Sequence, residues 1–337
     1  MTRLFIVGRG TVGGALLKIA EGMPEVKLVG VADKSEFWLD PSGPAAMHDG
    51  FDDLANRIGL LGSDVIVADC TAADSAQFHL VLLGRGLRVV TANKKPLAGP
   101  QAVYDSLAKL GGGAPGSRYG CETTCGAGLP VLGTLADLQA TGDEILEISA
   151  AVSGTLGFIF SACGKGMSFA AAVAEAARRG YTEPDPRDDL SGADVARKAL
   201  ILARLIGRRL ELSDISVRNL VPEALQKCSV REFLAQLPSE AGELDRLVAD
   251  AAARSNVVRY LATVTPEAVR VGLEEVPSQS PFGALDGPEN LFVIRSKRYQ
   301  KTPLQIRGPG AGAEVTAAGV MADVLRLART VSVTANV

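Results

Sequence analysis

An apolar run, Leu4–Val7, breaks directly into Gly8-Arg9-Gly10-Thr11-Val12-Gly13, and residues 14–22 then carry a helical pattern. Few folds place a glycine turn between a buried strand and a helix, and those that do use it to bring backbone close to a phosphate. Gly8 permits the tight turn, Gly10 lets backbone approach a pyrophosphate, and Gly13 lets the helix pack closely on the strand. The first helical amides, those of Thr11 and Val12 among them, offer donors and the positive end of the helix dipole. A second run, Val26–Ala32, ends at Asp33, where an acid can bind the adenosine ribose. Lys34 follows it and can accept a 2′-phosphate, so NAD and NADP both stay open.

The alternation continues. Residues 48–61 read as a surface helix, Asp64–Ala68 as a buried strand running into Asp69-Cys70-Thr71, and 74–86 as a helix. Strand Leu87–Thr91 leads to Asn93-Lys94-Lys95, and Arg118–Cys121 is a further strand. Such alternation predicts a Rossmann-type, doubly wound parallel sheet, with ligands outside the carboxyl ends of its strands. Gly8–Gly13, Asp33, Thr71 and Lys94 all fall at such ends. After Glu122 a glycine-rich bend, Thr123–Pro130, opens a helix running to about 140. A bend of this kind beside a carboxylate suits a hard cation with oxygen ligands, and equally a plain strand-to-helix turn.

From about residue 142 the pattern changes to an α+β one with a mixed sheet. Strands are expected at Ile145–Val152, Val257–Val264, Val269–Val276 and Leu291–Lys297, with helices at 156–164 and 168–179. The polar centre of this half is 180–207. Pro184 and Pro186 lack amide protons, so Tyr181–Arg187 is expected as an ordered turn and not a helix. A helix then starts at Ser191 or Gly192, with Asp194 and Lys198 one turn apart on one face. An isolated pair of this kind is a surface ion pair. Here it follows Glu183, Asp185, Asp188 and Asp189, and four carboxylates around one lysine suit a site. Lys198 can give or take a proton, Asp194 can position it, and Glu183 can hold a ligand's ammonium group. Gly308–Gly312 precedes an amphipathic helix, Val315–Arg329, expected to return to the first domain. The domains are therefore expected at 1–138 with 305–337, for the dinucleotide, and at 139–304, for substrate binding and dimerisation.

Composition narrows the classes. A net charge of -3 and 5% aromatic residues give neither a basic footprint nor a stacking platform for nucleic acid. Five cysteines, Cys70, Cys121, Cys125, Cys163 and Cys228, have no paired zinc spacing and read as reduced thiols of a cytoplasmic protein. His48 and His79 are the only histidines, too few for a histidine-based metal site. No apolar run is long enough for a membrane span, and no signal-peptide pattern opens the chain.

Taken together, GRGTVG at 8–13, TANKKPLA at 91–98, ETTCGAGLP at 122–130, SGT at 153–155, GYTEPDPRDDLSGADVARK at 180–198 and GPGAGAEVTAAGV at 308–320 resemble the homoserine dehydrogenase family, in its short form without a regulatory (ACT) domain. The resemblance implies NAD(P)-dependent interconversion of L-aspartate 4-semialdehyde and L-homoserine, a step towards threonine and methionine. It implies Lys198 as the proton-transfer lysine, Glu183 and Asp194 as homoserine-binding acids, and Lys94 near the nicotinamide and the substrate hydroxyl. Cofactor contacts would fall on the 8–13 turn, Thr71, Gly180 and Gly312. A structural sodium ion would take Glu122, Cys125, Ala127 and Leu129, and the chain would form a homodimer. Ser153 departs from the family pattern, which carries Asn before Gly-Thr. The rival readings are another amino-acid dehydrogenase on the same scaffold, or a dinucleotide sensor without catalysis. A sensor has no need of Lys198, Asp194 and Glu183 together.

Overall fold

A computed structural model of the chain describes residues 1–39, 43–113 and 115–334. The chain divides into two compact units, residues 1–137 with everything from Ala311 onward, and Leu138–Gly310.

The first unit runs β1 (Thr2–Val7), α1 (Thr11–Glu21), β2 (Val26–Asp33), β3 (Glu36–Trp38), β4 (Ala46–Met47), α2 (Gly50–Gly59), β5 (Val65–Asp69), α3 (Ala76–Gly84), β6 (Arg88–Thr91), α4 (Lys95–Ala98), α5 (Gln101–Gly111), β7 (Tyr119–Gly120), α6 (Thr123–Gly126) and α7 (Leu132–Ala140). Its sheet is ordered β4-β3-β2-β1-β5-β6-β7. Strands β2, β1, β5, β6 and β7 are parallel. The unbroken apolar runs follow from burial on both faces: Leu4–Val7 and Val65–Ala68 are all in the core. Leu16 and Ala20 of α1 pack there together with Ala317, Val320, Met321 and Val324 of the C-terminal helix. Burying Leu16 alone is worth about 1.5–3 kcal/mol. The strand order reverses between β1 and β5, β2 lying on one side of β1 and β5 and β6 on the other, and this switch point opens the ligand crevice of such sheets. Two short strands, β3 and β4, were not expected. They form an antiparallel ribbon on the β2 edge, where Asp33 pairs with Glu36 across a turn that holds Lys34 at φ 43°.

The second unit runs β8 (Ile145–Ala151), α8 (Gly154–Gly164), α9 (Phe169–Arg178), α10 (Pro186–Leu190), α11 (Ala193–Leu205), β9 (Ser216–Val217), α12 (Val230–Glu240), α13 (Gly242–Ala253), β10 (Asn256–Val264), β11 (Val269–Pro277), β12 (Glu289–Ser296) and β13 (Leu304–Pro309); α14 (Ala313–Thr334) belongs to the first unit. Its mixed sheet is ordered β13-β12-β8-β10-β11-β9, antiparallel except for β9 beside β11. Helices α8, α11 and α13 pack on β10.

Three expectations need correction. Residues 305–310 belong to the second unit and not the first, because β13 pairs with β12 from Leu304 to Pro309. The turn 181–187 gives way to a helical turn at Pro186, since proline fits the first helical position and Asp185 caps it by accepting from the Arg187 amide at 3.0 Å. Helices α12 and α13 add cover that the sequence pattern did not suggest; α12 starts in a capping box of Ser229 and Glu232.

Packing at the glycine turn makes a sharp prediction. A Cβ on Gly13 would lie 1.7 Å from the Gly8 carbonyl oxygen, whereas one on Gly10 meets nothing within 4 Å. Gly13→Ala is expected to cost about 1–3 kcal/mol or more, and Gly10→Ala almost nothing. Thermal melts of both variants check this; equal melting temperatures would refute the close approach.

Candidate active site

In the first unit the strand ends enclose a cavity of about 580 Å³ lined by Gly8, Gly10, Thr11, Val12, Asp33, Lys34, His48, Phe51, Leu54 and Thr71, among others. Six of the residues expected to touch a dinucleotide therefore line one cavity: Gly8, Gly10, Thr11, Val12, Asp33 and Thr71. Gly13 sits behind them against Gly8. Gly8 has φ 93° and donates its amide to Ala32 O at 2.8 Å, so β1 is tied to β2 where the turn begins. The cavity fits the group the glycine turn implies. It has a glycine-rich backbone wall at a helix N-terminus, an acid at the β2 end, and a buried Thr71 hydroxyl without a partner among the described residues.

A buried carboxylate arranges the neighbouring strand ends. Asp69, fully inaccessible at the end of β5, accepts from the Thr71 amide (2.8 Å), the Ser75 hydroxyl (2.6 Å) and His79 Nε2 (2.9 Å). Burial pushes its carboxyl up, but the side-chain hydrogen bonds from His79 and Ser75 hold it below the ordinary value. A carboxylate only accepts, so His79 Nε2 carries the proton; in the neutral ring the Tyr119 hydroxyl then donates to Nδ1 at 2.9 Å. Asn93 donates to Ala73 O (2.8 Å) and Ser75 Oγ (3.0 Å), while its Oδ1 accepts from the Lys95 amide (3.1 Å). Lys94, the N-cap of α4, is thereby held at the β6 end. Sequence reading missed this hub because Asp69, Ser75 and His79 have no motif spacing, and Asn93 reads only as part of the 91–98 segment.

Glu122 also has a role independent of any ion. Its carboxylate accepts from the amides of Val131 (2.7 Å), Leu132 (2.6 Å) and Gly133 (2.9 Å), capping α7. Leu129 O accepts from the Val131 amide at 2.9 Å, and Ala127 is forced to φ 52°. Cys125 is buried beside them. A carboxylate has room for about four partners, so an oxygen-ligated cation remains compatible with this turn. Gly312, at φ 135°, begins α14.

In the second unit, Lys198 Nζ donates to Val152 O at 2.6 Å and pairs with Asp194 at 2.9 Å, its side chain only 12% exposed. The pair is thus half-buried and anchored to backbone, unlike an ordinary surface ion pair. The four loop carboxylates divide by use. Asp185 caps α10 and binds Arg187, whose guanidinium also donates to Leu225, Gln226 and Cys228 carbonyls. Glu183 and Asp188 remain exposed. Asp189, named from sequence only as one of the four, accepts from the Glu183 amide (2.8 Å) and from Thr155 Oγ1 (2.9 Å). Burial, then the charges of Asp194 and Asp188, push its carboxyl up, against the pull of hydrogen bonds from Glu183 and Thr155. Gly180 ends α9 at φ 71°, and Ser153 caps α8 by accepting from the Leu156 amide at 3.2 Å.

A parallel sheet with a glycine-turn cavity defines the first unit as a Rossmann-type dinucleotide-binding unit, and the second unit carries a lysine among carboxylates. The sequence model for homoserine dehydrogenase matches residues 130–325, and that for the homoserine dehydrogenase NAD binding domain matches 8–112. The chain belongs to the homoserine dehydrogenase family. It is 34% identical to the homoserine dehydrogenase of Schizosaccharomyces pombe, covering 96% of this chain and 94% of that protein. It is 40% identical to bifunctional aspartokinase/homoserine dehydrogenase 2 of Zea mays, covering 96% of this chain but only 38% of the maize protein. Among solved structures, a hyperthermophilic archaeal homoserine dehydrogenase in complex with NADPH shares the fold, with a TM-score of 0.74, 24% identity and coverage of 98% of both chains.

Asp323 of α14 supplies a pH test of the site's support. It accepts from the Glu122 amide at 2.9 Å and from Arg326 at 2.7 Å, and burial pushes its carboxyl up to about 6. A carboxyl raised on folding stabilises the fold below its unfolded value and loses that contribution as pH rises towards 6. Relative to wild type, Asp323→Asn should gain about 3 kcal/mol between pH 4 and 7. Denaturant titrations across that range test it, and a constant difference would refute the raised value.

Proposed function

We propose that the chain catalyses NAD(P)-dependent interconversion of L-aspartate 4-semialdehyde and L-homoserine, in the supply of threonine and methionine. The observation that carries this reading is the half-buried Lys198–Asp194 pair behind a proline-braced acidic loop. When bound, the nicotinamide exchanges a hydride with the carbonyl carbon of the semialdehyde. The chain's own residues supply the rest. Gly8, Gly10, Thr11 and Val12 would hold the pyrophosphate, Asp33 the ribose, and Thr71, Gly180 and Gly312 further parts of the dinucleotide. Lys198 gives the alkoxide its proton in reduction and takes it back in oxidation, with Asp194 and Val152 O fixing the ammonium. Lys94 stabilises negative charge developing on that oxygen. Glu183 and Asp194 hold the substrate's ammonium group, and Asp189, bonded to the Glu183 backbone, fixes the loop.

Lys198→Ala is expected to lower kcat on the order of 10²–10⁴-fold with cofactor affinity nearly unchanged. Glu183→Gln should raise the KM for homoserine far more than the Kd for NAD(P). Steady-state kinetics with cofactor titrations check both. Wild-type turnover in the first variant, or a larger cofactor defect in the second, would sink the assignment.

A sodium ion bound by Glu122 and the carbonyls of Cys125, Ala127 and Leu129 would brace the α6–α7 turn without taking part in chemistry. Melting should then occur some degrees higher in sodium chloride than in choline chloride of equal ionic strength. Identical melts would remove the ion. A homodimer formed through the second unit is also proposed. Light scattering at low micromolar protein should give about twice the 35.0 kDa of one chain; a fully active particle of single-chain mass would exclude the dimer.

A further inference from the structure

His48 follows the β3–β4 ribbon, and its backbone amide donates to Ser35 O at 2.8 Å. The residue is 8% exposed and lines the 580 Å³ cavity. Its Nδ1 lies 3.1 Å from Gly50 O. A carbonyl only accepts, so Nδ1 holds the proton and the neutral ring presents Nε2 as a bare acceptor. Nε2 is buried and has no hydrogen-bond partner among the described residues. Such an acceptor carries an uncompensated desolvation cost, which a donor brought by a ligand relieves.

The surroundings say which donor. The glycine turn, Asp33 and Lys34, proposed above to take the phosphates and the ribose, line the same cavity. Beside His48 the wall is Gly50, Phe51 and Leu54, with the Phe51 ring stacked on Phe78 at 4.8 Å between centroids. A flat apolar wall with one acceptor suits an aromatic base bearing an exocyclic amine. We propose that His48 Nε2 accepts a hydrogen bond from the adenine amino group of the dinucleotide, making it a specificity residue for the base. The inference rests on the dinucleotide reading of the cavity, not on the identity of the reduced substrate.

The matching probe is the hypoxanthine counterpart of the cofactor, which carries a carbonyl where adenine carries the amine and would set one acceptor against another. Binding is read by nicotinamide fluorescence in titrations with NADH, NADPH and the reduced hypoxanthine dinucleotide, without homoserine. Wild type should bind the adenine form about tenfold tighter than the hypoxanthine form. His48→Leu should bring that ratio near one, while His48→Gln, whose amide can turn to accept or donate, should bind both forms well. A ratio within one protein cancels general loosening of the fold. A wild-type ratio near one, or an unchanged ratio in His48→Leu, overturns the proposal. Failure of all three dinucleotides to bind the wild type would instead sink the cofactor reading itself.

Discussion

The buried carboxylate of Asp69 is the constraint on which the first unit's functional surface depends. It lies on the β5 terminus, beside β1 and β6, at full burial, where an unpaired charge would be prohibitive. Three close donors settle it: the Thr71 amide, the Ser75 hydroxyl and the His79 ring. Each comes from the segment that follows β5, so satisfying the charge dictates that segment's path. Asn93 extends the same order to the β6 loop through Ala73 and Ser75. Tyr119 of β7 closes the far side. One ionised group thereby fixes three strand ends, and the loops bearing Thr71 and Lys94 have little freedom left.

The glycine turn solves the complementary problem on the other side of the switch point. A ligand phosphate needs backbone amides near it and no side chains in the way. Gly10 leaves open space, whereas Gly13 leaves none, its missing Cβ being filled by the Gly8 carbonyl. Openness at one glycine and contact at the other are both products of the helix packing tightly against β1. Arg9, whose guanidinium lies 4.5 Å from the Trp38 ring centroid, shows that the unexpected β3 ribbon shapes the rim of this turn as well.

What was legible in the sequence follows from how each element is buried. Central parallel strands such as Val65–Ala68 are covered on both faces and read as apolar runs, so the Rossmann-type sheet and the ends of its strands could be placed from pattern alone. β3 and β4 have three and two residues and no room for a period. β13 alternates half-buried with exposed residues from Leu304 to Pro309, a signal too shallow to claim it for the second sheet. α12 carries Pro238 in its interior and a largely polar surface, which disguises a helix. The Asp69 hub and His48 are invisible for another reason: their meaning lies in partners brought together only by folding.

The acidic loop shows how a cluster of like charges becomes specific. Four carboxylates within seven residues, Glu183 to Asp189, repel one another, and an unstructured loop would simply spread them into solvent. Pro186 and the Asp185 cap start a helix there, and Arg187 takes Asp185 out of the electrostatic field while pinning the loop to three carbonyls. Asp189 is turned inward to Thr155 and the Glu183 amide, where burial and the neighbouring acids weaken its ionisation. Glu183 and Asp188 keep their exposure. The charge left facing outward is smaller than the residue count suggests, but its position is defined by a rigid backbone. A ligand ammonium group recognised there would meet a carboxylate already in place, so little ordering entropy opposes its capture.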